Sequence, residues 1–242
     1  MGSAKDVLLI DAGNSIVKLC RVENGQLGNV IRCDYESLSN QIEYLGAEAL
    51  VKVCSSVLSE ADTQKLSHNL RNVQFYDAHI SSPLSIHYLP INSLGFDRLC
   101  NANAIQRLTK SDAAVSVDIG TCIKFDLVVD KKYLGGSISP GIELRYKAMH
   151  AFTGKLPLIN SKDAASLTGN STSESMHSGV INGIQAEIEG MMRSYRKKYS
   201  SITFFVTGGD SSSFDFEGKN DIFVRENLTL EGLYTIYSYN AL

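Results

Sequence analysis

The stretch Leu8-Leu9-Ile10-Asp11-Ala12-Gly13-Asn14-Ser15-Ile16-Val17-Lys18 decides the fold. An apolar run ends on an acid, a glycine follows two residues later, small polar residues come next, and a second apolar run begins. The second half of the chain repeats the pattern as Val115-Ser116-Val117-Asp118-Ile119-Gly120-Thr121-Cys122-Ile123-Lys124. Both copies predict a β-hairpin whose tight turn uses glycine for its tolerance of positive φ. Such a turn lets backbone N–H groups and a short hydroxyl or amide approach a phosphate, and the acid at the strand end can face a bound cation. One Asp-x-Gly hairpin is only a turn. Its recurrence at the mouths of two apolar strands predicts a duplicated lobe. The expectation is an α/β chain of two similar lobes with mixed sheets and a nucleotide cleft between them, the layout of an ATP-dependent phosphotransferase. Symmetry places the boundary near residue 110, giving lobes of 1–110 and 111–242.

At 242 residues the chain can bury one large core or two modest ones. A content of 43% hydrophobic and 20% charged residues is that of a globular protein in water. The formal net charge of −3 offers no basic field for nucleic acid. No run approaches the roughly 18 apolar residues of a membrane span, so no membrane is expected as a partner. The opening Met1-Gly2-Ser3-Ala4-Lys5-Asp6 lacks an apolar signal core, which predicts a cytoplasmic location. The cysteines, Cys20, Cys33, Cys54, Cys100 and Cys122, are odd in number and form no C-x-x-C pair. They read as free thiols of a reducing compartment.

Outward from the first turn, strands are expected over 7–11, 15–23 and 29–34, with Asn24-Gly25 a hairpin turn. Helices are expected over 37–45 and 62–70, and strands over 49–55, 73–77 and 84–88. In 97–109 the residues Leu99, Ala102, Ile105 and Leu108 recur every third position, which predicts an amphipathic helix. Gly135-Gly136-Ser137-Ile138-Ser139-Pro140-Gly141 is expected to break regular structure before a helix over 142–152. The clearest helix spans 173–199, with Met176, Val180, Ile184, Ile188, Met191 and Tyr195 on one stripe, as core or dimer interface. A strand over 202–207, ending in Gly208-Gly209-Asp210, is expected to be the last buried strand. The five histidines show no metal spacing; His177 is the one placed near a candidate site, because it follows Thr172 on the same helix.

Asp97 carries two readings. As an acid beside Gly95 it suits a general base, with Arg98 offering bidentate contact to a carboxylate or phosphate. As the first residue of the 97–109 helix it equally suits an N-cap.

Taken together, Asp11-Ala12-Gly13-Asn14-Ser15-Ile16-Val17-Lys18, Gly95-Phe96-Asp97-Arg98, Asp118-Ile119-Gly120-Thr121, Gly135 through Gly141, and Ser171-Thr172 followed by Ser178-Gly179 resemble the type III pantothenate kinases. These belong to the superfamily of actin-like ATPases, with acetate and sugar kinases, Hsp70 and actin, built of two ribonuclease H-like lobes. The two turns alone resemble the superfamily, and the Gly-x-Asp-Arg segment narrows the resemblance to the family. It covers nearly the whole chain.

The resemblance implies phosphorylation of pantothenate at its terminal hydroxyl by ATP, the first step towards coenzyme A. It implies a homodimer, Mg2+ or a similar divalent cation on ATP, and a monovalent cation, potassium or ammonium. Asp97 matches the base. Asp11, Gly13, Asn14, Ser15, Lys18 and Thr121 match ATP-binding positions. Tyr88, Gly95, Phe96, Asp97, Arg98 and Thr172 match pantothenate-binding positions, and Asp118 matches the ligand of the monovalent cation. Gly208-Gly209 would bring backbone against adenine or ribose.

The chain departs from the family pattern at Ser15, where threonine is usual, and at Ile91, where proline is usual and Pro90 lies one residue earlier. It departs again at Cys122 and Lys124, where Gly-Thr-Ala-x-Thr is usual. Lys124 puts an extra charge near the cation site if it points inward, weakening dependence on potassium. Two other readings are a small-sugar or acetate-type kinase, which the Gly95–Arg98 segment opposes, and a non-catalytic transcriptional accessory protein. The latter would be expected to lack the acid or the phosphate turn.

Overall fold

The structure, a computed structural model, describes residues 6–14, 16–47, 50–216 and 220–241. Along the chain run β1 (Val7–Ala12), β2 (Val17–Glu23), β3 (Gln26–Cys33), α1 (Leu38–Tyr44), β4 (Val51–Ser56), α2 (Glu60–Asn69), β5 (Val73–Phe75), β6 (Ser85–Ile86) and α3 (Phe96–Leu108). They continue with β7 (Ala113–Ile119), β8 (Cys122–Val129), β9 (Lys132–Pro140), α4 (Ile142–Ala151), α5 (Thr172–Lys198), β10 (Ile202–Thr207), β11 (Ile222–Val224) and α6 (Leu228–Asn240). These elements form two compact units: Met1–Leu108 with Lys131–Leu134 and Asn227–Leu242, and Thr109–Asp130 with Gly135–Glu226.

The first unit is built on a sheet of order β3-β2-β1-β4-β5. Its β1 pairs antiparallel with β2 and parallel with β4, so the sheet is mixed. As the central strand, β1 reads as an unbroken apolar run, and Val7, Leu8, Leu9 and Ile10 are fully buried. The β2–β3 connection is the Asn24-Gly25 turn, with φ of 50° and 80° at its two centres, values that asparagine and glycine tolerate. Leu38 and Ile42 of α1 and Leu66 of α2 pack on Leu8, Ile10, Val17 and Leu19 in one apolar cluster.

Elsewhere in this unit α3 and α6 meet at close range. A methyl group on Gly232 would lie 1.7 Å from the Cys100 carbonyl oxygen, so only glycine permits this approach. The Thr229 hydroxyl donates to Asn101 Oδ1 at 3.0 Å beside it. The helix α3 is therefore not amphipathic as its spacing predicted. Phe96 and Arg98 through Ile105 are all buried, because the polar Asn101 and Asn103 find partners inside.

The second unit repeats the arrangement with order β11-β10-β7-β8-β9. Here β7 pairs antiparallel with β8 and parallel with β10. In both units three sequential strands are followed by helix and two further strands, which is the duplication the paired turns predicted. The glycine-rich 135–141 segment does not break the structure; most of it is strand β9. Glycine is needed there for packing, since a methyl group on Gly136 would sit 1.5 Å from the Phe125 carbonyl oxygen. The first residues of β9 pair with β6 inside the first unit, Ser85 opposite Lys132 and Ile86 opposite Tyr133.

The long helix α5 starts where its caps dictate. Ser171 Oγ accepts the Glu174 N–H at 3.2 Å, Glu174 lies in the first turn, and Arg196, Lys197 and Lys198 fill the last. Its Val180, Ile184 and Ile188 are buried against Val115, Val117, Ile123 and Phe204. The stripe is thus core of its own unit, with Met191 and Tyr195 half-buried against it. The 202–207 strand is the last buried strand, as expected, and the half-exposed β11 and the helix α6 follow it.

Candidate active site

Each turn of the repeated motif sits at the end of its unit's central strand. In the first, Asp11 and Lys18 are register partners across β1 and β2, so their side chains share one face of the sheet. The turn closes by a hydrogen bond from the Gly13 amide to the Ile16 carbonyl at 3.2 Å. Gly13 does not lie at positive φ, contrary to the expectation from its spacing. Its glycine requirement is steric: a methyl group there would stand 2.9 Å from the Ile16 oxygen. Asn14 is exposed beyond it, and Ser15 lies outside the described residues. The carbonyl of Gly13 is held from outside the hairpin by the Tyr35 hydroxyl, at 2.6 Å.

The Gly95–Arg98 corner belongs to the same unit. Helix α3 begins at Phe96, so Asp97 stands inside the first turn rather than at the cap. The Gly95 carbonyl accepts the amides of Arg98 and Leu99 at 3.1 and 3.3 Å, starting the helix. Asp97 Oδ1 accepts the Arg98 N–H at 2.8 Å, and this places the carboxylate over Gly95. A methyl group on residue 95 would lie 2.7 Å from that oxygen. Phe96 is buried edge-on to Tyr76, with ring centroids 6.3 Å apart, and anchors the helix start. Arg98 is buried, its guanidinium carbon 5.4 Å from the centre of the Tyr88 ring, and Tyr88 leans on the fully buried Tyr133.

Asp11 and Asp97 come from opposite ends of the first unit's sequence, and both act on one group. The Cys100 thiol is held well above its usual pKa, first by burial and then by the negative charges of Asp11 and Asp97. The same Asp11 charge adds to burial in raising the Cys54 thiol. Two carboxylates, one from the end of β1 and one from the first turn of α3, thus act on the same buried thiol.

In the second unit, the Gly120 amide closes its turn on the Cys122 carbonyl at 3.1 Å, and Gly120 is likewise not at positive φ. Here no described residue demands glycine. A methyl group would meet only Asp118 Oδ1, at 3.9 Å, so the backbone lies open to close approach. The Thr121 side is backed by Gly141, whose amide donates to the Thr121 carbonyl at 3.0 Å. Gly208 and Gly209 divide in role. Gly208 has φ of 100° and packs on Ile119, whereas a side chain at Gly209 would meet open space. Asp118 forms an ion pair with Lys124 at 2.8 Å, with 14% and 18% of the two side chains exposed.

Thr172 opens α5 and is exposed, lining a shallow, open surface depression with Ser171, Ser175 and Met176. His177, one turn on, has its Nδ1 2.6 Å from the Tyr146 hydroxyl. Tyr35 and Tyr133 carried no sequence signal for a place beside these residues. Among the described residues no cluster of three histidine, cysteine or acidic side chains is assembled for a metal. All five cysteines are free thiols, and no described helix is long and apolar enough to cross a membrane.

Comparison with known proteins agrees with this geometry. The profile of the family described as type III pantothenate kinase matches residues 7–194. A type III pantothenate kinase of Cytophaga hutchinsonii is 38% identical over 236 residues, spanning 97% of this chain and 99% of the relative. Among solved structures, a candidate Baf family transcriptional activator from Campylobacter jejuni superposes with a TM-score of 0.65 at 21% identity, over 97% of this chain and 98% of that one. A candidate N-acetylmannosamine kinase from Listeria monocytogenes superposes at 0.54 and 12% identity, over 98% and 100%. At those identities the two structures speak for the fold, the two-lobed architecture of the actin-like ATPases. The match over most of the sequence goes further: the chain belongs to the type III pantothenate kinase family.

Proposed function

We propose that this protein transfers the γ-phosphoryl group of ATP to the terminal hydroxyl of pantothenate, forming 4'-phosphopantothenate. The observation that carries the assignment of roles is the Gly95–Arg98 corner, where a helix-borne carboxylate stands over a glycine with an arginine beside it. Phosphoryl transfer asks little covalent chemistry of a protein; it needs phosphates held, charge offset and the acceptor aligned. ATP brings the phosphoryl group, and its divalent cation offsets the phosphate charge.

The acceptor hydroxyl's proton passes to the Asp97 carboxylate as its oxygen bonds to the γ-phosphorus, while the bond from that phosphorus to the β,γ-bridging oxygen breaks and ADP leaves. Gly95 leaves the space in which that hydroxyl meets Asp97. Arg98 binds the carboxylate of pantothenate through its planar fork, steadied by Tyr88, and Phe96 fixes the start of the helix. Thr172, exposed at the start of α5, supplies a further substrate contact.

Asn14 and Ser15 would hold phosphate oxygens, the Gly13 backbone shapes the turn, Lys18 would add positive charge, and Asp11 would help hold the divalent cation that offsets the phosphate charge. Thr121 contacts the nucleotide from a turn whose Gly120 backbone is open to it. The enzyme acts in the cytoplasm, a reading supported by its free cysteines. It acts as a homodimer by family resemblance, since the α5 stripe is core of its own unit. A sedimentation mass near that of one chain, 26.4 kDa, would count against the dimer. The resemblance also implies potassium or ammonium at Asp118, and there the residues do not fit, because Asp118 already holds the Lys124 ammonium.

The deciding experiment is ADP release with ATP, magnesium and pantothenate, comparing wild type with Asp97→Asn. Turnover requires pantothenate in the wild type, and the variant, folded to the same melting temperature, loses about 10²–10⁴-fold in kcat. Undiminished turnover by the variant removes Asp97 as base.

A further inference from the structure

Asp118 is the penultimate residue of β7, and Lys124 is its register partner on β8. Register partners of an antiparallel pair put their side chains on the same face, so the hairpin aims this ammonium at this carboxylate. The Nζ stands 2.8 Å from Asp118 Oδ2. With 14% and 18% of the side chains exposed, the pair is largely withdrawn from solvent, where salt screens weakly. On the neighbouring strand Thr207, which is 2% exposed, stands opposite Asp118 and adds no charge. A free monovalent cation placed on Asp118 would share one carboxylate with a fixed positive charge at contact distance, and the two cations would repel.

We propose that the Lys124 ammonium is itself the cation of this site, a tethered counterpart of the ammonium ion, and that the enzyme therefore works without potassium or ammonium. The inference rests on the kinase reading above for its activity arm, while its stability arm stands independently. A tethered ammonium cannot dissociate, so the turn carrying Gly120 and Thr121 is charge-balanced at any salt composition. Removing one member of a withdrawn ion pair leaves the other uncompensated, and that is costly. The space left by the lysine side chain then becomes a place where a small cation of the right size can bind Asp118.

The test compares wild type, Lys124→Ala and Lys124→Arg in potassium, ammonium and sodium chloride at matched ionic strength, reading both melting temperature and turnover. Wild type is expected to melt and turn over equally in all three salts, within about twofold in rate once general screening is held constant. In sodium, Lys124→Ala is expected to melt about 6 °C or more below wild type, and to recover both stability and turnover in potassium or ammonium. Lys124→Arg keeps the charge and keeps the wild-type indifference. Strong activation of wild type by potassium over sodium overturns the proposal, and so does a Lys124→Ala protein with unchanged melting and turnover in sodium. If Lys124→Ala does not fold, potassium dependence of Lys124→Arg or of wild type decides. Absence of pantothenate turnover in every salt would sink the kinase reading instead, and the melting comparison of wild type with Lys124→Ala would still decide the cation.

Discussion

The guanidinium of Arg98 lies against the face of Tyr88, its carbon 5.4 Å from the ring centre and its Nη1 3.4 Å from the phenol oxygen. Ten residues separate the two along the chain, so one is delivered by the start of α3 and the other by the segment after β6. An arginine buried this deeply loses mobility, and the aromatic face compensates part of its desolvation. The consequence is a fork of N–H donors held in one orientation before any substrate arrives.

Arg98→Lys keeps the charge and loses the fork. The expected outcome is a rise of about tenfold or more in the KM for pantothenate, with a smaller change in kcat, because bidentate recognition is lost. Tyr88→Phe keeps the ring and costs only a few-fold, whereas Tyr88→Ala removes a desolvated cation–π contact worth about 2 kcal/mol, or about 30-fold in KM. Steady-state kinetics with pantothenate varied at saturating ATP checks the ordering. Equal KM values for Arg98→Lys and wild type would show that Arg98 does not read the substrate.

Gly95→Ala tests the space under the base. The added methyl group would start 2.7 Å from Asp97 Oδ1, so the carboxylate must move. Because Gly95 is not at positive φ, backbone strain does not enter and the effect is confined to position. A displacement of about 1 Å of a catalytic group costs about 10²-fold, and the loss should appear in kcat with little change in melting temperature. A variant with normal kcat would mean that the Asp97 carboxylate is not held where the hydroxyl reacts.

The repeated acid-glycine turn made the two-lobed α/β plan legible, since strand alternation and hairpin register are local properties of sequence. The same locality made the Asp118–Lys124 contact readable as a possibility: both lie on one hairpin, and the register decides which way they face. What escaped was set by distant packing. Glycine at 13 and 136 read as turn or breaker, yet each is there because another backbone atom comes too near for a side chain. The spacing in α3 suggested one apolar face, because a sequence does not announce that Asn101 and Asn103 have buried partners. Nor does anything in 228–240 announce that this helix closes on α3 at Gly232, more than a hundred residues away. The role proposed for Asp97 comes from resemblance, and the reason for its neighbour Gly95 became physical only with the carboxylate in place.

Tyr35 offers a last test, because it holds the first phosphate turn from outside. Its hydroxyl donates to the Gly13 carbonyl at 2.6 Å across a separation of 22 residues. Burial, followed by the nearby Cys54 and Asp11, pushes its pKa up to about 12. The folded value lies above the unfolded value near 10, so the neutral phenol is the form the fold favours. The stabilisation is fully present below about pH 10 and is lost as pH rises towards about 12. Tyr35→Phe removes both the hydrogen bond and this titration. The turn then loosens, and the KM for ATP is expected to rise about three- to tenfold, the equivalent of one hydrogen bond of about 1 kcal/mol. In the same variant, denaturant midpoints measured from pH 9 to 12 should fall less steeply than in wild type. If the KM for ATP is unchanged while the alkaline slope is flattened, Tyr35 supports the fold but not the phosphate turn. If neither changes, the Tyr35–Gly13 bond carries no weight in solution.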